Sequence, residues 1–524
     1  MVSRRFFLYY RRNGRGGKGR MPDFEAPLYT RLVRRRDRGP VSFHVPGHQF
    51  GRALPDEPFK LFRDMMGIDV TELEDTDDLH HPEGVIREAQ RLAARCFGAD
   101  ETFFLVGGST AGNLAMLLAA LDPGDAIVEP RNVHKSVLNG IALARAKAIF
   151  VAPQIEPASG LPTVPSAADI ETALRRYPEA RAVFLSTPNY YGMHVHLAPY
   201  AEIAHRHRVP LLVDEAHGAH FGLHPACPPS AMSSGADAAV QSTHKTLTAL
   251  TMGAMLHVRR GRLSVDRLRR ALSMVQSTSP SYPILASLDI ARAMIEARGP
   301  AWLEGGLKAA NYLREKLAAR NGPFEVLQPD VSESCGAVDP MRVVLRDASG
   351  RIGGFRLQQL LARRDCWAEM ADDRHVVLVF GPGARVEDAD RLANVLDEIA
   401  AETAGTEYAP GEGGPALAVT AAVYAEDPEE RIGEPFAIPL MPPDDAETES
   451  VPLDEAAGRT AAEPVIPYPP GIPLLVAGER ISESRIAAIR RLAAAGARFQ
   501  GSAEAGAQKI RVMVQHQRKK ETDR

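Results

Sequence analysis

The stretch Val209-Pro-Leu-Leu-Val-Asp-Glu215 decides the fold class. Its apolar residues are too few for a helix and stop abruptly at two carboxylates. A short apolar run bounded in this way reads as a buried strand. A carboxylate at the end of such a strand is costly unless a cation or strong donors meet it. Upstream the pattern repeats in Glu101-Thr-Phe-Phe-Leu-Val106, Ala126-Ile-Val128, Ala148 to Ala152 and Ala182-Val-Phe-Leu-Ser186. Between these runs lie helical segments: Leu114 to Leu121, one opened by Arg131 to Ser136, Ala167 to Tyr177, and Pro199 to Arg208. Continuous apolar strands alternating with helices predict an α/β domain whose mainly parallel sheet is covered on both faces. Ligands of such sheets gather beyond the C-terminal ends of the strands.

The residues at those ends are unusual. The first strand runs into Gly107-Gly-Ser-Thr-Ala-Gly-Asn113 and then a helix. Free backbone N–H groups and the helix dipole make such a turn an anion site, and Ser109 and Thr110 add hydroxyls. The alternative is a plain N-cap by Ser109 or Thr110. The turn is neither a Walker A nor a GxGxxG sequence, so nucleotide binding is not implied. Thr187-Pro-Asn-Tyr-Tyr-Gly-Met193 follows a later strand, and Asp214-Glu-Ala-His217 the next. Beyond Gly235 to Val240 comes Gln241-Ser-Thr-His-Lys-Thr246. A lysine beside hydroxyls and an imidazole, at the edge of a buried segment, loses solvation and becomes a nucleophilic amine. The alternative is a surface lysine on a loop.

Bulk properties narrow the choices. With 524 residues the chain is long enough for more than one domain. A hydrophobic content of 45% and a charged content of 24% are ordinary for a globular protein. A formal net charge of -4 gives no reason to expect nucleic acid as a partner, and no apolar run is long enough to cross a bilayer. Cys96, Cys227, Cys335 and Cys366 show neither a disulfide framework nor metal-ligand spacing, which predicts a reducing, cytoplasmic setting. His44 and His48 flank a Pro-Gly turn, and Glu72 to Asp78 with His80 and His81 follow. These residue types suit a metal, but an ordered turn across a cleft accounts for them equally well, and no metal is expected.

Taken together, Phe43-His-Val-Pro-Gly-His48, Gly108-Ser-Thr-Ala-Gly-Asn113, Arg131-Asn-Val-His-Lys-Ser136, Asp214-Glu-Ala-His-Gly-Ala-His220 and Gln241-Ser-Thr-His-Lys-Thr246 resemble the bacterial ornithine/lysine/arginine decarboxylases, fold-type I pyridoxal-phosphate enzymes. The likeness continues through Gln276-Ser-Thr-Ser-Pro-Ser-Tyr282 to Pro467-Tyr-Pro-Pro-Gly-Ile-Pro473. It covers nearly the whole chain after Pro22. The receiver-like N-terminal domain of the long members has no counterpart, so the resemblance is to the short form.

The resemblance implies pyridoxal 5'-phosphate as cofactor and α-decarboxylation of arginine, lysine or ornithine to the corresponding amine. Lys245 would carry the cofactor covalently, and Asp214 would pair with its ring nitrogen. His134 would stack on the ring, and His217 would reach the ring or its phenolate oxygen. Ser109, Thr110, Ser242 and His244 would hold the phosphate, with Thr187 or Asn189 at the cofactor edge. Ser277 and Thr278 would reach the phosphate of a neighbouring subunit, so a homodimer or an assembly of dimers is expected. The runner-up is another fold-type I enzyme such as an aminotransferase, with Arg342 as the carboxylate-binding arginine. Glu369 is a candidate for the distal cation of the substrate.

The expected layout is a basic disordered tail (1–22, or a start assigned too early, with Met21 as the first residue) and a large cofactor-binding domain with its N-terminal segment (23–300). A small α+β domain (301–403), a Gly/Ala/Pro-rich linker (404–418) and a C-terminal α+β domain (419–524) follow. In that last domain Pro442 to Glu449 reads as a solvated loop, Pro473 to Val476 as a strand, Glu483 to Ala495 as a helix, and Arg518 to Lys520 as a frayed end.

Overall fold

The computed structural model describes residues 24–404, 431–468, 473–494 and 498–514, apart from 321, 373, 442 and 503. The basic tail, the 405–418 part of the linker and the basic C-terminal end lie outside the described residues.

The strands of the large sheet are, in chain order, β1 (Glu101–Leu105), β2 (Ala126–Pro130), β3 (Lys147–Val151), β4 (Ala180–Ser186), β6 (Leu211–Asp214), β7 (Ala238–Gln241), β8 (Ala254–Val258) and β14 (Phe436–Ala437). The two-residue β5 (Met193–His194) lies outside that sheet. Their spatial order is β1-β8-β7-β6-β4-β2-β3-β14. The run β7-β6-β4-β2-β3 is parallel, while β8 runs against both its neighbours and β14 runs against β3. The α/β expectation therefore holds. Strands β2, β6, β7 and β8 are buried throughout, Glu129, Asp214, Gln241 and His257 included. Two apolar clusters cover the two faces. One holds Leu117, Val137, Phe184 and Val240, and the other Val128, Ile170, Leu185 and Val213.

The helix Gly108–Ala120 lies directly on the sheet because Gly112 has no side chain. A Cβ there would stand 2.5 Å from Val240 Cγ2 and 2.9 Å from Leu105 Cδ1. The N-cap of this helix is Gly107, with no side-chain cap, so neither Ser109 nor Thr110 plays that part.

The helix Val85–Phe97 buries Ile86, Ala89, Leu92, Ala93 and Phe97, with Val85 and Cys96 half-buried against the same cluster. Within the acidic stretch before it, Asp77 serves that helix. Asp77 accepts N–H bonds from Glu83 (2.9 Å), Gly84 (2.8 Å) and Ile86 (2.9 Å) at the helix start. Among the described residues, no group of three or more His, Cys, Asp or Glu could hold a metal ion.

A second sheet, β12-β13-β11-β9, is built from β9 (Phe324–Val326), β11 (Arg342–Asp347), β12 (Met370–Ala371) and β13 (His375–Val379). It carries the helices Glu304–Ala318, Gly354–Ala362 and Val386–Thr403. The two-residue β10 (Ala337–Val338) pairs with β5 and stitches this unit to the large one.

The C-terminal region has its own apolar cluster, including Leu453, Val465, Leu475, Ile489 and Ile510. Its strands are β15 (Thr448–Pro452), β16 (Ile466–Tyr468), β17 (Arg498–Gln500) and β18 (Lys509–Met513), paired β15 with β18 and β16 with β17. Two expectations fail here. The end of the supposed solvated loop enters β15, and Pro473 to Val476 forms no strand, only a single bridge between Val465 and Leu475. Both outcomes depend on pairing partners distant in sequence, which local pattern does not encode.

Candidate active site

Beyond the C-terminal ends of β4, β6 and β7 lies a cavity of about 340 Å³. Lys245, Asp214, His217, His134, Asn132, Ser109, Ser186, Asn189 and Tyr190 line it, and Ile466 and Gln500 close it from the C-terminal region. Asp214 is the last residue of β6 and only 7% exposed. One carboxylate oxygen accepts from Asn113 Nδ2 (2.8 Å) and the other from the backbone N–H of Ala216 (3.0 Å). Among the described residues it has no ion-pair partner, so the buried carboxylate faces the cavity ready for a cation.

Asn113 ties Asp214 to the opposite wall. Its Nδ2 also reaches Ser136 Oγ (3.0 Å), which lies 2.8 Å from His134 Nδ1. His134 caps the helix Lys135–Ala144 by accepting from the Ser136 backbone N–H at 3.2 Å. Nδ1 therefore holds a lone pair. Burial holds His134 below its ordinary range, Asp214 working against this and the lysines 245 and 135 with it. The ring is neutral.

Lys245 sits in the one-turn helix Thr243–Thr246. Its Nζ is 3.1 Å from His217 Nε2. Burial pulls the Lys245 amine below its usual range, with Asp214 and Glu369 opposing and Arg342 assisting. Burial, then the positive charges of Lys245 and Arg342, hold His217 well below its ordinary value. Tyr190 stands edge-on to the His217 ring at 5.0 Å.

The two hydroxyl turns meet: Ser242 Oγ donates to Ser109 Oγ at 2.9 Å. The Gly108 N–H is taken by the Met252 carbonyl (2.9 Å), and with no side-chain cap the next first-turn N–H groups of the helix Gly108–Ala120 have no intrahelical partner.

Other predicted residues are placed differently. Thr110 is exposed and His244 bonds the Gly253 carbonyl (3.0 Å); neither lines the cavity. Thr187 is buried against His194 (3.3 Å), and it is the neighbouring Ser186 that faces the cavity. Ser277 and Thr278 are exposed, with the Ser277 carbonyl 3.0 Å from His80 Nε2. A larger cleft of about 430 Å³ near there is lined by Arg87, Glu101, Arg260 and Arg269. Arg260 and Arg269 pair with Glu101, and no lysine lines that cleft, so the chemistry belongs to the Lys245 cavity. Arg342 is buried behind His217 and does not line the Lys245 cavity. That is the wrong place for an arginine that binds a substrate carboxylate directly. Asn113, Ser186, Ile466 and Gln500 were not foreseen as site residues. A buried asparagine on an otherwise apolar helix face was the one available signal.

The donor set fits pyridoxal phosphate. A lysine with a depressed pKa, an unpaired carboxylate for a ring nitrogen, a flat neutral imidazole and an uncapped helix start with hydroxyls converge on one cavity. Fold and site define a fold-type I pyridoxal-phosphate enzyme. Among solved structures the chain is similar to lysine decarboxylase A of Pseudomonas aeruginosa (TM-score 0.74, 22% identity, 98% of this chain and 82% of that one). It is likewise similar to the lysine decarboxylase of Francisella novicida (TM-score 0.73, 21% identity, 94% and 82%). Residues 26–388 match the Orn/Lys/Arg decarboxylase major domain, and residues 440–504 match the C-terminal domain of that family. The chain belongs to the Orn/Lys/Arg decarboxylase family, the pyridoxal-phosphate-dependent decarboxylases of basic amino acids. It is 37% identical to an arginine decarboxylase of Bacillus subtilis (94% of this chain, 99% of the relative). It is 34% identical to one of Halalkalibacterium halodurans (94% and 98%).

Proposed function

We propose that the chain decarboxylates arginine to agmatine and carbon dioxide. The observation that carries the chemistry is the facing of Lys245 and Asp214 across one cavity. The choice of arginine is supported by relatives named arginine decarboxylase at 33–37% identity over nearly their full lengths.

When bound, the cofactor supplies an electron sink for the pair left at Cα as carbon dioxide departs. The chain's residues do the rest. Lys245, its amine drawn below the usual range by burial, would hold the cofactor covalently and carry the proton returned to Cα. Asp214, held by Asn113 and the Ala216 N–H, keeps the ring nitrogen charged. His134 covers the ring, tied to Asp214 through Ser136 and Asn113. Ser109, Ser242 and the helix start hold the phosphate. Tyr190, Ile466 and Gln500 exclude water at the mouth. Glu369, exposed in the small unit, offers a carboxylate to the guanidinium of the substrate.

The same reading makes the protein a cytoplasmic homodimer, Ser277 and Thr278 serving the neighbour's phosphate. Four free cysteines support the compartment. No described helix is long and apolar enough to cross a membrane. Exposed Val41, Phe43, Val45, Leu61 and Phe62 supply an apolar surface for a second copy. The separate sheets support a division near residues 300 and 403. Turnover of arginine, lysine and ornithine, measured as amine released, tests the assignment. Arginine should give the highest kcat/KM by at least about tenfold; equal or better turnover of lysine would overturn the choice of substrate. Sedimentation at the dimer mass checks the assembly, and a monomer that is fully active would contradict it.

A further inference from the structure

Arg342 is a buried cation that the proposed chemistry leaves without a task. It opens β11, is 2% exposed, and has its Nη2 3.3 Å from His217 Nδ1. The other nitrogen of that ring, Nε2, is 3.1 Å from Lys245 Nζ. His217 thus stands between a guanidinium and the reactive amine.

The arginine is held in that attitude from several sides. Gly192, at φ +87°, lies flat against its stem; a Cβ there would come within 2.7 Å of Arg342 Cβ and 2.9 Å of its Cγ. Asp339 sits 4.0 Å from Arg342 Nε, and is itself fixed by His220 Nε2 (2.9 Å) and the Met341 N–H (2.9 Å). Asp339 also donates its backbone N–H to the Gly192 carbonyl (2.8 Å), closing the clamp between the large and small units.

A guanidinium donates hydrogen bonds and cannot accept them. The His217 nitrogen facing it must therefore hold a lone pair, and a neutral imidazole then carries its proton on the other nitrogen. We propose that Arg342 is a positioning residue that locks His217 in its Nε2–H form, so that His217 presents a hydrogen-bond donor to Lys245. The free Lys245 amine then accepts from His217 through its lone pair, the uncharged form that a nucleophilic amine requires. Burial opposes protonation of both groups; the neighbouring positive charges add to this at His217, whereas at Lys245 Asp214 and Glu369 work against it. The inference rests on Lys245 being the cofactor-bearing amine, and it gives the small unit a direct hand in preparing that amine.

The test uses the full-length chain labelled with ¹⁵N-histidine, its cofactor removed, with His217→Asn identifying the His217 signals. In the wild type, Nε2 should be protonated and Nδ1 bare. Arg342→Met should lose that pattern, and Arg342→Lys, which can still donate, should restore it. Capture of added pyridoxal phosphate, followed by absorbance at neutral pH, should slow on the order of tenfold or more in Arg342→Met and recover in Arg342→Lys. A proton on Nδ1 in the wild type overturns the proposal, as does an unchanged tautomer in Arg342→Met. If Arg342→Met does not fold, the wild-type spectrum still decides. Failure of the underlying reading would show separately, as a Lys245→Ala protein that keeps the absorbance of covalently held cofactor.

Discussion

Asn113 shows how single residues set this site. Its amide joins Asp214, Ser136 and, through Ser136, His134, although it lies 101 residues from Asp214 in sequence. Asn113→Leu should leave one oxygen of Asp214 without its donor. Losing that buried partner should cost about 1–3 kcal/mol of stability and weaken cofactor binding; denaturant melts and cofactor titration check both. Glu215 makes a second prediction. It is fully buried, accepting from the Ala231 N–H (2.8 Å) and Gln241 Nε2 (2.7 Å), and burial pushes its carboxyl up to about 8 from an ordinary 4.5. Between those values the folded state keeps a proton that the unfolded state has released. The contribution of Glu215 is therefore present at low pH and is lost as pH rises through about 8. Glu215→Gln, which cannot ionise, should flatten that decline in melts taken from pH 5 to 9. A steeper decline in the variant would show that the carboxylate is favoured in the fold. At this scale the sequence was most readable where local chemistry is odd. Asp214 at a strand end and Lys245 among hydroxyls announce themselves. Arg342 and Asn113 do not, because their tasks exist only after distant segments meet.

Among the elements, the helix Gly108–Ala120 places the most chemistry. Its uncapped start faces the cavity, and its inner face delivers Asn113 to Asp214. Gly112 sets its distance from the sheet, since any side chain there meets Val240 and Leu105. Gly112→Ala should force the helix outward, at a cost of about 1–3 kcal/mol for the overpacked contact. Cofactor affinity should fall with it, because Asn113 moves away from Asp214. A variant as stable as the wild type, with unchanged cofactor affinity, would contradict that reading. The long strands were legible because burial on both faces leaves an unbroken apolar run. The two-residue strands β5 and β10, the start of β15 and the failed strand at 473–476 were not. Their fate is decided by pairing with residues far away rather than by their own composition.

Over the whole molecule, the C-terminal region is part of the site. The β16–β17 ribbon sets Ile466 directly opposite Gln500, and both line the cavity. Arg131, next to the cavity residue Asn132, anchors that region. It makes a two-pronged pair with Glu479, bonds the Leu474 carbonyl (3.3 Å) and stacks over Phe150 at 4.5 Å. The pair is nearly buried, at 4% and 13% exposure, so Glu479→Ala removes the two-pronged carboxylate partner of a buried cation and should cost about 3–5 kcal/mol. The ribbon would loosen, and KM for the amino acid should rise more than kcat falls. Steady-state kinetics beside thermal melts separate this from a general loss of fold. The sequence showed that this region exists but not that it reaches the cofactor cavity, since Gln500 and Lys245 share no local pattern.

Lys245 and Asp214 together are proposed to drive decarboxylation of arginine. This proposal is tested most directly by supplying the holoenzyme with arginine and measuring agmatine, carbon dioxide and keto acid together, beside Lys245→Ala and Asp214→Ala. Agmatine and carbon dioxide should form in equal amounts with no keto acid, and turnover should fall by several orders of magnitude in both variants. Keto acid as the main product, or a Lys245→Ala enzyme that turns over at the wild-type rate, would contradict the proposal.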